Sequence, residues 1–144
     1  MHHRKRILSL ILLLQLIAVT GVFAQSATVG STILRVGVAS GSFDAASLPE
    51  DPLAAMRNLG YRLPPGGNDT AVDYGTVSLI LVEFFDIPHG ILYGIFGAPH
   101  YAIKELQSRG IVPATVHSGK GIDEKSIETL ISSIAKALAE GKLR

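Results

Sequence analysis

Five polar side chains are of the types that acid–base or nucleophilic chemistry uses, and each of them follows or ends an apolar run. They are Ser40, Ser42, Asp86, His89 and His117. If those runs are parallel strands, their carboxyl ends meet along one edge of a sheet, where ligands of open α/β folds bind. A serine, a carboxylate and an imidazole can together support hydrolysis. The sequence therefore predicts a ligand-binding rim made of these five residues, with Ser40, Asp86 and His117 as an alternative catalytic set.

The same side chains also have an interpretation that involves no chemistry. Serine, glycine and aspartate begin turns for conformational reasons, and turns are found where strands end. The histidines at positions 89, 100 and 117 show no i, i+4 pairing, so the sequence has no local metal-binding motif of that kind. It has no glycine-rich phosphate-binding motif either. We accordingly predict no metal and no cofactor, and the choice between an enzyme and a binding protein stays open.

The apolar run at residues 76–88 predicts the central element of the fold. It is short, rich in β-branched and aromatic residues, and shows no polar alternation, which is typical of a strand covered on both faces. Residues 33–39 and 111–117 predict two more strands. Pro113 favours an edge position for the last of them, because proline cannot donate a hydrogen bond to a neighbouring strand.

One carboxylate, Glu83, lies among the apolar residues of this central run. A carboxylate in such a place must be paired, protonated or turned towards water, because burying an unpaired charge is costly. We therefore expect Glu83 to mark an exposed end of the strand or to form a salt bridge with Lys104 or Arg109 of a covering helix.

Three segments predict helices that alternate with the strands. They are residues 53–59, residues 99–109, and a segment that Asp123 or Ser126 caps and that runs to about Glu140. The last helix carries one apolar stripe, formed by Ile127, Leu130, Ile131, Ile134 and Leu138. Alternation of this kind predicts an α/β fold, a small three-layer sandwich with a short, mainly parallel sheet. The alternative is an α+β fold with an antiparallel sheet.

The first 24 residues have the layout of a secretory signal peptide. A basic segment ending at Arg6 precedes a strongly apolar run at residues 7–19, and Val22 and Ala24 supply small residues at positions −3 and −1. The apolar run is shorter than the ~20 residues that a membrane span needs. We predict cleavage before Gln25, a flexible leader at residues 25–32 and a single domain at residues 33–144.

Charge and cysteine content exclude several classes of protein. Removal of the three basic residues of the signal segment reduces 13 lysines and arginines to 10, against 12 acidic residues. The cleaved chain therefore has no basic footprint for nucleic acid. The sequence contains no cysteine, which excludes disulfides, thiolate chemistry and a lipid-attachment site. The expected location is secreted or periplasmic, and the mature chain is not expected to span a membrane.

An apolar segment that runs from Ile91 to Gly97 is the candidate contact surface. It contains two glycines, and its periodicity fits a short buried helix and a tight apolar loop equally well. We predict an exported protein of the cell envelope that serves as a small binding or assembly module and meets an envelope protein partner through this segment. The alternative is the small hydrolase that uses Ser40, Asp86 and His117.

Export gives the first testable prediction. The chain recovered from the envelope or the medium should begin at Gln25, because the signal segment is removed at the small-residue site. Amino-terminal sequencing or intact mass measurement checks this. A recovered chain that begins at Met1 would contradict it.

Overall fold

The computed structural model describes residues 27–143, and within that range it contains six helices and no β-strand. The helices are α1 Val29–Ala39, α2 Pro52–Asn58, α3 Tyr74–Phe84, α4 Ile91–Phe96, α5 Pro99–Ser108 and α6 Glu124–Ala139. Extended pairing there is limited to two isolated bridges, Thr28 with Ala71 and Asp73 with Gly121. The predicted α/β sandwich is therefore wrong, and so is its α+β alternative. The predicted signal segment lies outside the described residues.

The predicted central strand is instead the central helix, α3. Every residue from Gly75 to Val82 is buried, so the helix has no polar face. A fully buried helix loses its amphipathic period just as a strand covered on both faces does, and the two cannot be told apart by periodicity. The helix is started locally by Asp73, whose carboxylate accepts a hydrogen bond from the Thr76 amide at 2.8 Å.

The predicted first strand, residues 33–39, is also helical. It belongs to α1, which begins at Val29 with a capping box. Thr28 Oγ1 accepts a hydrogen bond from the Ser31 amide at 3.1 Å, and Ser31 Oγ accepts one from the Thr28 amide at 3.0 Å. Val29 is fully buried. Residues 29–32, which fall within the predicted flexible leader, are therefore the first turn of α1.

The predicted third strand, residues 111–117, forms turns rather than a strand. The amide of Gln107, on α5, holds this segment by donating hydrogen bonds to the carbonyls of Pro113 at 3.0 Å and Val116 at 2.7 Å. These side-chain bonds take the place of the ladder bonds that a sheet would supply. The segment consequently packs along α5 instead of at a sheet edge.

Helices α1 and α3 run in the same direction. At their amino-terminal ends the Val72 amide donates to the Ala27 carbonyl at 3.1 Å. At their carboxyl ends the rings of Phe43 and Phe84 meet edge to face, with centroids 5.5 Å apart. A long connection that contains α2 therefore leads from the end of α1 back to the start of α3.

Helix α5 runs parallel to α3 as well. At the amino-terminal ends the two backbones approach closely, since a Cβ built on Gly75 would lie 3.1 Å from Cβ of Pro99. At the carboxyl ends the Arg109 guanidinium donates to the Pro88 carbonyl. Helix α4 lies in the return connection between α3 and α5. Within residues 27–143 no helix is both long enough and apolar enough to span a membrane.

The helices predicted from amphipathic pattern are confirmed. Observed α2, α5 and α6 agree with the predicted segments to within one or two residues, and Asp123 caps α6 by accepting from the Ser126 amide at 2.7 Å. The predicted stripe of α6 faces the core, with four of its members buried and Leu138 partly buried. The apolar residues of these three helices repeat with the helical period of 3.6 because each helix has one side in water.

The stripe of α6 gives a stability prediction. Ile134 is fully buried, so Ile134→Ala should lower the free energy of unfolding by about 2–5 kcal/mol through lost burial and an unfilled cavity. The control is Ser132→Ala at an exposed position of the same helix, which should change it by about 0.5 kcal/mol or less. Urea denaturation measures both variants. Equal losses would show that the buried face of α6 is assigned wrongly.

Candidate functional site

The structure brings two of the five predicted rim residues into contact. Ser40 and Ser42 lie at the carboxyl end of α1 with their Oγ atoms 3.0 Å apart. The Ser40 hydroxyl also donates to the Gly37 carbonyl at 3.1 Å. Both hydroxyls thus take part in local bonding that ends the helix, a common role for serine.

Asp86 and His89 lie beyond the carboxyl end of α3. Asp86 has a φ of 48°, the left-handed conformation that terminates helices and that aspartate tolerates. The Ile87 amide then donates to the Val82 carbonyl at 3.1 Å, which closes the helix end. His89 is exposed, and its ring meets the Tyr93 ring edge to face at 4.9 Å between centroids. These positions indicate structural roles.

His117 lies at the opposite end of α3. The carbonyl of the next residue, Ser118, accepts a hydrogen bond from the Gly75 amide at 2.8 Å, at the start of the helix. The rise from Gly75 to Asp86 at 1.5 Å per residue is about 16 Å. Ser40 and Asp86 are therefore at one end of the helices and His117 is at the other, so the described residues do not assemble the catalytic set that hydrolysis would need.

His117 contributes instead to an open cavity of about 260 Å³, next to α5. Other lining residues include His100, Lys104, Thr115 and Ser118. An ammonium group and two imidazoles face this cavity and, among the described residues, no carboxylate lines it, so its charge favours a small anion over a cation. The described part of the chain holds no group of three side chains placed to bind a metal ion.

The most unusual surface is the outer face of α4. Four large apolar side chains are exposed on it: Ile91 at 80%, Leu92 at 55%, Ile95 at 69% and Phe96 at 61%. The Phe96 ring stacks on Tyr101 of α5 with centroids 5.4 Å apart. We call Ile91, Leu92, Ile95 and Phe96 the α4 ridge. Contiguous exposed apolar patches larger than a few hundred Å² mark interaction sites, whereas single scattered apolar residues do not.

A polar cluster of Arg62, Glu83 and Tyr93 holds the inner face of α4. Tyr93 is fully buried, and its hydroxyl donates to Glu83 Oε1 at 2.6 Å. The Arg62 amide donates to Glu83 Oε2 at 3.1 Å, and the Arg62 guanidinium donates to the carbonyls of Tyr93 at 2.9 Å and Gly94 at 2.6 Å. The same guanidinium lies 4.9 Å from the centre of the Tyr93 ring. We call these three residues the clasp.

The two ends of α4 are fixed too. At its start the Gly90 amide donates to Glu105 Oε1 at 2.7 Å, and Glu105 is itself paired with Arg109. At its end Gly97 adopts a φ of 56°, and a Cβ there would come within 2.5 Å of Cδ of Arg62. A six-residue helix cannot persist alone in water. Polar contacts therefore hold α4 in place while its apolar side chains face outwards.

The segment from Ile91 to Gly97 is thus a short helix, one of the two predicted forms, but of its apolar residues only Tyr93 is buried. Glu83 is bound by Tyr93 and Arg62 instead of the predicted Lys104 or Arg109. Arg62 lies in an irregular segment rich in glycine and proline, and no sequence signal pointed to it. The isolated carboxylate in an apolar run was the one available sign that a polar cluster forms here.

Comparisons with models of known families, with curated proteins and with solved structures found no match. The function must therefore be inferred from the residues of this chain.

The clasp gives the third prediction. Burial, followed by the hydrogen bond and charge of Glu83, raises the pKa of Tyr93 above the usual value for a phenol. Tyr93→Phe should lower the free energy of unfolding by about 1–3 kcal/mol, because Glu83 loses a partner. The stabilisation linked to this phenol should be complete below pH ~10 and be lost as the pH rises through the raised pKa.

Alkaline ultraviolet titration of the folded protein should show one tyrosine that ionises late, and Tyr93→Phe should remove that component. The control is Tyr101→Phe, at a half-buried ring that stacks against Phe96, which should leave the late component in place. Loss of the late component in the control variant instead would show that the late-ionising tyrosine is Tyr101 and not Tyr93.

Proposed function

We propose that the protein is a small binding or assembly module of the cell envelope and that the α4 ridge is its contact surface for a protein partner. The supporting observation is the exposure of Ile91, Leu92, Ile95 and Phe96 on a helix whose opposite side is tied down by the clasp. Their spacing of i, i+1, i+4 and i+5 puts them on one face, which is the pattern of a helix that docks into an apolar groove.

The energetics fit a contact of moderate strength. Full burial of a fully exposed large aliphatic or aromatic side chain contributes about 1.5–3 kcal/mol, and these four are 55–80% exposed, so together they supply on the order of 4–8 kcal/mol before costs. Loss of translational and rotational freedom takes up about 4–15 kcal/mol. Because the clasp has already ordered α4, little further ordering is required on binding. A reversible contact that contributes to an assembly is therefore a better match than a permanent one.

The location rests on the predicted signal segment at residues 1–24, which remains a prediction. In the described residues the four side chains of the ridge face water, so a partner in the compartment to which the chain is delivered can reach them.

In-cell cross-linking tests the proposal. A photo-reactive amino acid in place of Ile95 should give a discrete protein adduct in the envelope fraction, because this side chain is at the centre of the contact. The control position is Leu59, an apolar residue outside the ridge that is 45% exposed. It should give no adduct, or much less.

The identity of the adduct decides the outcome. Mass spectrometry of a band that appears at position 95 and not at position 59 should identify a single partner protein. The proposal would be overturned if position 95 gave no adduct, if both positions gave the same bands, or if the adduct contained lipid and no protein.

A further inference from the structure

The cavity of about 260 Å³ to which His117 contributes lies between α5 and the segment that follows it. One wall is a single face of α5, formed by His100, Ile103, Lys104 and Gln107 at the helical spacing i, i+3, i+4 and i+7. The facing wall is residues 114–118. We call this space the α5 cavity.

The facing wall is fixed before any ligand binds. The side-chain amide of Gln107 donates to the Pro113 carbonyl at 3.0 Å and to the Val116 carbonyl at 2.7 Å, which ties the wall to α5. The Ser118 carbonyl accepts a hydrogen bond from the Gly75 amide at 2.8 Å, which ties the same wall to the start of α3. Because both walls are already ordered, a small ligand binds with little further loss of conformational entropy.

The α5 cavity is lined by an excess of hydrogen-bond donors. Lys104 has three N–H donors, and each imidazole, of His100 and of His117, has at least one. The hydroxyls of Thr115 and Ser118 add one donor each. None of the ion pairs of residues 27–143 involves Lys104. Its ammonium group is therefore available to a ligand.

Carboxylates of the adjoining segments have partners of their own. Glu105 follows Lys104 along α5, but consecutive residues of a helix do not face each other, and Glu105 pairs with Arg109 at 3.1 Å. Asp73, at the start of α3, accepts a hydrogen bond from the Thr76 amide at 2.8 Å. The positive charge of Lys104 is thus not neutralised within the cavity.

We propose that the α5 cavity binds a phosphate group, carried by inorganic phosphate or by a small phosphate ester. Lys104 supplies the charge, a role in which lysine commonly binds phosphate, while the imidazoles and hydroxyls of both walls donate hydrogen bonds. This site is separate from the α4 ridge, so it does not rest on the proposed function.

The number and arrangement of donors favour phosphate over a carboxylate. A phosphate ester presents three strongly accepting oxygens around a tetrahedral centre, whereas a carboxylate presents two in one plane. Donors that approach from two opposite walls match the tetrahedral group better. Ile103 and Val116 add apolar surface beside these donors, which suits the carbon part of an ester.

Nuclear magnetic resonance of the histidine rings tests binding at the site itself. The protein is titrated with inorganic phosphate and, separately, with glycerol phosphate, at constant pH and ionic strength in a buffer free of phosphate. The ring signals of His100 and His117, assigned from the variants His100→Gln and His117→Gln, should shift along a saturable curve. His89, which lies against Tyr93 outside the cavity, should not shift and serves as an internal control.

A matched pair of lysine variants tests the role of the charge. Lys104→Met should raise the dissociation constant for phosphate about tenfold or more, because a hydrogen bond to a charged group is lost. Lys136→Met removes the same charge from an exposed position of α6 that does not line the cavity, and it should change the constant by about twofold or less. Both lysines are exposed, so both variants should keep the circular dichroism spectrum and unfolding midpoint of the parent.

The two probes distinguish the sources of the phosphate group. Tighter binding of glycerol phosphate identifies an ester as the ligand, and equal or weaker binding identifies free phosphate. The proposal would be overturned if neither probe shifted His100 and His117 along a saturable curve or if His89 shifted equally. It would also be overturned if acetate produced the same shifts at the same concentration, or if Lys136→Met weakened binding as much as Lys104→Met.

Discussion

The burial of α3 on every side is the constraint on which the rest of the structure depends. A helix without a polar face is stable only when other elements cover it completely, and here α1 and α5 pack on it in parallel with it. Parallel neighbouring helices require long connections, because the chain must return along the length of one helix before the next helix begins. Those connections contain α2 and α4. The apolar ridge is thus located in a segment that exists because of how α3 is covered.

Glu83 links this core to the surface. It is the one charged residue of α3 and lies near the carboxyl end, where the helix dipole disfavours a negative charge. Two hydrogen bonds offset that cost, one from the Tyr93 hydroxyl and one from the Arg62 amide. Satisfying this carboxylate brings in Tyr93 and fixes α4. The requirement that a half-buried charge be paired therefore determines which side of α4 faces inwards and which apolar side chains face water.

The exposure of the α4 ridge has a physical cause in the number of helices that cover the core. With α3 buried, the other five helices of residues 27–143 leave several large apolar side chains uncovered, and four of these lie together on α4.

The sequence alone was sufficient to predict the helices that have one side in water. Helices α2, α5 and α6 were predicted with accurate limits, because their apolar residues repeat with the helical period and their ends carry local signals. Asp123 caps the start of α6, and Gly110 follows α5 with a φ of 71°, a conformation that glycine adopts readily. The apolar segment at Ile91 was also identified as a candidate surface, and export remains a prediction from residues 1–24. Asp73, and Thr28 with Ser31, cap α3 and α1 in the structure, but residues of these types also begin turns, so they did not decide between strand and helix.

Tertiary structure alone decided the identity of α1 and α3 and the composition of the clasp. A continuous apolar run is compatible with a buried strand or a buried helix, and the choice depends on which partners cover it. The clasp joins residues that are far apart along the chain, at positions 62, 83 and 93. The rim residues Asp86 and His117 lie at opposite ends of α3, so the structure does not bring the five predicted rim residues together. Contacts of this kind arise from the packing of whole elements, and no local pattern of residues encodes them.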